Sequence, residues 1–351
     1  MTHIRPRWRL GAAVLALGLA AAACGGGTTP SPSETGPADD AEGPLVVYSG
    51  RGEDLVGEAF EMFTAETGIE VEVRYGGTAE LAATLLEEGD RSPADIYWAQ
   101  DAGALGAMQD AGMFATLPAD VLDRVDQKFR SADGSWVGVT GRVRTLVYNT
   151  DELGEDEVPA SVFDLTDPEW QGRVGWAPTN GSFQSFVTAM REIHGEDTTR
   201  EWLEGMLAND VKEFESNTPI VDAVGRGEIS VGLVNHYYLY RFLAEDDTFP
   251  AANKFLSADV GGLVNVAGIG ILQSSTRPAA AQAFAEWVLG SQAQGYFSSV
   301  REELEYPLAT DVTAAEELPA LDTLNPPDID LSSLDDLEGT LQLLREVGAL
   351  E

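Results

Sequence analysis

Short apolar runs, each broken by glycine or a small polar residue and followed at once by helical spacing, constrain this chain more than any other feature. Leu45-Val46-Val47-Tyr48 stops at Ser49-Gly50-Arg51-Gly52, after which Leu55, Phe60 and Phe63 recur at helical intervals as far as Thr67-Gly68. Ile69 to Tyr75 alternates as a strand, Gly76-Gly77-Thr78 opens a helix through Leu86, and Ala94 to Trp98 forms the next buried strand. This rhythm of strand, loop and helix predicts an α/β fold, with a parallel or mixed sheet flanked by helices. In such sheets ligands bind beyond the carboxyl ends of the strands, where Gly-rich loops expose N–H groups and helix N-termini carry partial positive charge. The loops after Tyr48, Tyr75 and Trp98 all fit that description.

A second unit of the same kind begins at Val174-Gly175-Trp176, runs into Pro178-Thr179-Asn180-Gly181-Ser182 and continues as a helix from Phe183 through Ile193. Another strand, Ile229 to Val234, ends at Asn235-His236-Tyr237-Tyr238, and Leu239 to Leu243 reads as helix. Between the units, Gly141 to Asn149 is an extended run placed to cross from one lobe to the other, and the return is expected near Val260 to Ile271. Two lobes joined by such crossings enclose a cleft that closes by hinge motion. The lobes are expected to comprise residues 44–142 plus about 268–318, and 143–267 plus about 319–351.

The first residues speak to location. Arg5, Arg7 and Arg9 precede an apolar run from Leu10 to Ala23, too short to span a membrane, which ends in small residues and Cys24, the sole cysteine. Residues 1–23 therefore read as a signal peptide. Ala21-Ala22-Ala23-Cys24 resembles a bacterial lipobox and makes Cys24 the expected lipidation site, with an extracytoplasmic, lipid-anchored mature protein. From Cys24 to Gly43 the chain is rich in Gly, Pro, Ser and Thr without apolar periodicity, the composition of a flexible linker. Removing residues 1–23 leaves 18 basic residues against 59 acidic, a net charge of −41, which excludes nucleic acid as a partner and reads as a solvated acidic surface.

The sequence carries no GxSxG serine, no catalytic cysteine and no phosphate-binding P-loop. Its acidic clusters, Asp151-Glu152 and Glu155-Asp156-Glu157, stand in a polar stretch with nothing to raise a carboxyl pKa, so a binding role is expected and not an enzymatic one. No His-rich or HExxH pattern supports zinc.

Several strings in order carry a family resemblance: Val47-Tyr48-Ser49-Gly50-Arg51, Glu88 to Asp95, Gly141-Arg142-Val143-Arg144, Trp170 to Gly175, Asn235-His236-Tyr237-Tyr238 and Glu305-Tyr306-Pro307-Leu308. From Leu45 onward the chain resembles the ferric-ion-binding proteins of the bacterial transferrin type, solute-binding components of ABC importers. The resemblance implies the two-lobe periplasmic-binding-protein fold. It also implies an ABC permease with its separate ATPase as partner, a monomeric carrier, and phenolates of Tyr237 and Tyr238 as ligands to Fe(III). The chemistry agrees, because Fe(III) favours anionic oxygen and can drive deprotonation of phenols whose free pKa is about 10. Neighbouring side chains of a strand point to opposite faces, so the pair can share one ion only where the strand has ended. His236 is expected to face away from the ion.

The sequence departs from that family in its first lobe. Gly52 and Ala99 stand where some members carry histidine and glutamate, and Gly52, Glu53 and Phe183 stand where others carry histidine, tyrosine and a third tyrosine. Glu53 is the expected first-lobe ligand, with Asp54 the alternative, since Arg51 is cationic and Tyr48 lies within the strand. The remaining coordination positions call for water or a synergistic anion, carbonate or phosphate. By resemblance the anion site comprises Gln100, Asn180, Gly181, Ser182, Asn217 and Asn235, with Gly181 and Ser182 offering N–H groups at a helix start. Arg142 and Arg144 are expected either to clamp the anion through a guanidinium or to form structural ion pairs at the crossover. A rival reading keeps the fold and lets the pocket bind an oxyanion or phosphonate without metal.

Overall fold

A computed structural model describes residues 40–299 and 304–350; the signal peptide, Cys24 and most of the linker lie outside these. The strands are β1 (Leu45–Ser49), β2 (Val71–Tyr75), β3 (Ile96–Ala99), β4 (Val137–Asn149), β5 (Val174–Trp176), β6 (Lys212–Glu213), β7 (Val231–Asn235), β8 (Ala251–Lys254), β9 (Val264–Ile271) and β10 (Tyr306–Pro307). The helices are α1 (Glu53–Thr67), α2 (Thr78–Glu88), α3 (Ala102–Asp110), α4 (Ala119–Leu122), α5 (Gly181–His194), α6 (Glu196–Ala208), α7 (Asn217–Gly225), α8 (Tyr237–Glu245), α9 (Pro278–Val288), α10 (Ser291–Ser299) and α11 (Leu337–Glu346). Among these residues no helix is long and apolar enough to cross a membrane.

The strands follow the order β2-β1-β3-β9-β4-β7-β5-β6. In the first half β1 pairs in parallel with β2 and β3, and β9 runs antiparallel to β3. In the second half β5 pairs in parallel with β6 and β7. The two are joined by β4, buried along all of its 13 residues. Its residues Val137 to Val143 pair with β9, while Arg144 to Tyr148 pair with β7, so the ladder changes partner between Val143 and Arg144. The crossing expected at Gly141 to Asn149 is this strand, and the return expected near Val260 to Ile271 is β9, preceded by a turn at Val260–Gly262.

Each half has its own aromatic core. Phe60 and Phe63, on the inner face of α1, pack with Trp98 of β3 and with Phe284 and Trp287 of α9, ring centroids 5.1 to 5.8 Å apart for the Phe60, Phe63, Trp98 and Phe284 contacts and 5.5 Å for Phe63 with Trp287. Trp176 of β5 packs with Phe183 at 5.4 Å, and Phe186 with Trp202 at 5.6 Å. Burying rings of this size stabilises each half strongly, and truncating one to alanine costs about 3 to 5 kcal/mol.

The C-terminal segment touches both halves. Residues Leu331–Asp335 lie against α3, where Ser332 Oγ donates to Gln109 Oε1 at 3.0 Å. Then α11 packs on α5, with a buried Thr188 to Thr340 hydroxyl contact of 2.7 Å and Arg191 bonded to Asp336 at 2.8 Å. At the other end, the last part of the segment read as linker makes contacts with α9. The Asp40 carboxylate accepts the N–H groups of Ala279 and Ala280 at 2.9 and 2.8 Å, satisfying otherwise free donors at the start of α9.

Candidate functional site

The loops after β1, β2 and β3 converge on one cavity of about 330 Å³, closed on its far side by the middle of β4, the end of β7 and the starts of α5 and α8. Close packing makes the convergence possible: a Cβ on Gly50 would lie 2.2 Å from Thr78 Oγ1, so the first loop can lie against the start of α2 only with glycine there. Gly50, Gly77, Thr78, Gln100, Asp101 and Asn265 form the wall supplied by the first half. Asn180, Gly181, Ser182, Ser185, Asn235, Tyr237 and Tyr238 form the facing wall, with Arg142 and Arg144 between them on β4.

Tyr237 and Tyr238 occupy the first turn of α8, one residue past the end of β7, the junction that a shared ligand requires. Their rings stack at 4.3 Å between centroids, 29° from parallel. The Arg241 guanidinium, one turn on, lies 5.6 and 5.1 Å from the two ring centres, the i, i+4 and i, i+3 neighbours of a helix. His236 turns away, as expected. Its Nδ1 accepts the Val143 N–H at 3.1 Å, which leaves the proton on Nε2 to donate to the Leu304 carbonyl at 2.9 Å. Burial pushes this imidazole down to about 4, so it is neutral and serves to pin the junction to β4.

The two arginines of β4 differ. Arg142 Nε lies 3.7 Å from Glu305, whose carboxylate also receives a bidentate contact from Arg51 at 2.9 and 3.0 Å. Burial alone would raise the Glu305 pKa, but the charges of Arg51 and Arg142 hold it below the usual carboxylate range. Arg142 is thus part of an ion pair and of the cavity wall at once. Among the described residues Arg144 has no carboxylate partner. Its guanidinium, 2% exposed, donates to the Leu233 carbonyl at 3.0 Å and to Ser182 Oγ at 3.3 Å, lies 5.5 and 5.2 Å from the Phe183 and Phe186 ring centres, and keeps Nε without a hydrogen bond. Burial draws it down to about 9, opposed by Tyr238 and Tyr237, which leaves it charged at neutral pH. A buried cation of this kind favours an anion in the space it faces.

At the start of α5, Asn180 Oδ1 accepts the Ser182 N–H at 3.0 Å, the Ser182 hydroxyl at 2.6 Å and the Asn217 amide at 3.2 Å. Of the residues expected at the anion site, Asn180, Gly181, Ser182, Asn235 and Gln100 line the cavity. Asn217 stands behind it, buried, bracing Asn180 and Ser182. Glu53 is not brought to the cavity. It is exposed in the first turn of α1, where its charge complements the helix N-terminus and, after burial, adds to the raised pKa of Tyr75. Asp101, Thr78 and Asn265 were not singled out from sequence, although the loops after Tyr75 and Trp98 were, and Asp101 carries a helix-capping signal. The clusters Asp151-Glu152 and Glu155 to Glu157 are exposed. Among the described residues no three His, Cys, Asp or Glu side chains gather as a metal cluster.

Residues 91–333 match the model of the bacterial extracellular solute-binding proteins. The chain belongs to that family. It is 33% identical over 311 residues, 87% of this chain and 90% of the other, to the Fe(3+)-binding periplasmic protein of Serratia marcescens. It is 31% identical over 281 residues, 76% of each chain, to iron uptake protein A1 of Synechocystis sp.. Among solved structures, iron-bound HitA from Pseudomonas aeruginosa is similar with a TM-score of 0.79 at 33% identity, covering 87% of this chain and 99% of that one. A Trichodesmium protein in complex with iron and citrate is similar with a TM-score of 0.75 at 26% identity, covering 87% and 99%. The fold of the described chain is thus the two-lobed architecture of periplasmic binding proteins.

Proposed function

We propose that this protein captures Fe(III) in the cavity between its lobes, together with a synergistic anion such as carbonate or phosphate. It then delivers that cargo to an ABC permease driven by a separate ATPase. The observation that carries the reading is the stacked pair Tyr237 and Tyr238, at the end of a strand and in the same cavity as the buried Arg144. Two phenolates and a guanidinium facing one space suit a hard trivalent cation with an accompanying anion. Binding would release the two phenol protons, and Arg144 with the Asn180 and Ser182 groups would hold the anion against the ion. Relatives and neighbours named for ferric ion support the choice of cargo.

Residues 1–23 serve in this reading as a removed signal peptide, and lipid on Cys24 holds the carrier, as a monomer, at the outer face of the cell membrane. The change of ladder between Val143 and Arg144 supports a lobe boundary there. The carrier binds and does not turn over its cargo.

Ferric ion added with bicarbonate tests the proposal. The protein is expected to turn red or orange through phenolate-to-iron charge transfer, and the Tyr237→Phe, Tyr238→Phe double variant is expected to stay colourless. Colour that persists in the double variant would sink the assignment.

A further inference from the structure

We infer that Asp101 supplies the first-half protein ligand to the ferric ion, a carboxylate oxygen facing the phenolates across the cavity; this rests on the reading of the cavity as a ferric site. Two phenolates leave most of the six positions of an octahedral Fe(III) shell open. Among the described residues Asp101 is the one carboxylate lining the cavity. Glu53, the acid expected from sequence, is exposed on α1 and not among them.

The Asp101 side chain is already oriented. Its Oδ1 accepts the Ala104 N–H at 3.0 Å as the N-cap of α3, and no hydrogen bond among the described residues engages its second oxygen. The backbone beneath it is fixed from two sides. Asn265 Oδ1 accepts the Ala102 N–H at 3.1 Å, and α3 lies so close to Leu334 that a Cβ on Gly103 would sit 2.3 Å from the Leu334 carbonyl oxygen. A ligand held this way needs little reorganisation to meet an ion.

Charge points the same way. Two phenolates and one aspartate balance the three charges of Fe(III), which leaves the buried guanidinium of Arg144, with its unbonded Nε, to balance the anion. Without Asp101 the protein would offer a trivalent ion only two anionic oxygens and a nearby cation.

An ordinary capping role is the competing explanation, and it can be separated, because asparagine and serine cap helices about as well as aspartate but are not carboxylates. In Asp101→Asn, with Asp101→Ser as a second variant, the unfolding midpoint should hold. Iron affinity should fall at least about tenfold, as for lost groups around a metal. The charge-transfer band should move to longer wavelength, because iron stripped of one anionic donor accepts phenolate electrons more readily. A band that stays in place in both variants overturns the inference, whatever the affinity does. A wild-type protein that shows no band with ferric ion would instead overturn the ferric reading on which it rests.

Discussion

The second half of the fold brings to the cavity a stacked tyrosine pair, a helix start ringed by Asn180 and Ser182, and the buried Arg144 in the middle of β4. The first half brings neutral groups, Gln100, Thr78 and Asn265, and one carboxylate on Asp101. The contrast teaches where cargo would be held. In the proposed reading the phenolates and the anion pocket sit together on one half, so that half would engage the ion by itself, while the other would complete the shell as the halves approach. A division of this kind lets a carrier bind firmly and still release when the halves are drawn apart.

The seam between the halves is built from unlike parts too. On the first-half side it is ionic: Glu305 joins Arg51, in the loop after β1, to Arg142 on β4. Glu305→Ala removes the carboxylate from two buried guanidinium groups and is expected to cost about 3 to 5 kcal/mol of stability, the largest effect foreseen, read from urea unfolding. A loss under 1 kcal/mol would mean that the seam is not held there.

On the second-half side the seam is a neutral histidine. His236 is held near 4 by burial, against about 6.5 in an unfolded chain. Between those values the unfolded chain binds the proton that the folded one refuses, so this contribution is complete above pH ~6.5 and is lost as pH falls towards 4. The loss amounts to about 3 kcal/mol. In His236→Gln this part of the acid sensitivity should vanish, which unfolding midpoints at pH 7 and pH 5 would reveal.

The smallest expected effect separates binding from stability within the second half. Arg144→Met replaces a buried guanidinium with an apolar chain of similar reach, so stability should change by less than about 1 kcal/mol. Phosphate or carbonate affinity should fall about tenfold, measured by calorimetry, as a charge-assisted contact is lost. Equal losses in both would assign Arg144 to the core and not to the pocket.

Much of this architecture is legible in the sequence, because strand and helix periods repeat the burial pattern. Val174-Gly175-Trp176 is β5 residue for residue, and the helix read from Phe183 to Ile193 lies inside α5. The tyrosine pair is legible for a related reason, since a strand ending at Asn235 followed by helical spacing leaves the two rings at a junction. What was not legible depends on which way a first-turn residue faces. Glu53 and Asp101 are both acids near a helix start after a β-strand, alike in sequence, yet only Asp101 lines the cavity. Glu53 is the first residue of α1, ahead of the buried Val56, Phe60 and Phe63, and is exposed there. The asymmetry of Arg142 and Arg144 was equally hidden, because Glu305 lies far along the chain and reaches only the former.

The central claim is that the tyrosine pair and its anion pocket hold Fe(III), and one titration tests it most directly. Ferric ion is added in the presence of bicarbonate while the visible charge-transfer band is followed. The account predicts a band that saturates at one iron per chain and is absent from the Tyr237→Phe, Tyr238→Phe variant. No band in the wild-type protein, or a band of equal strength in the variant, would contradict it.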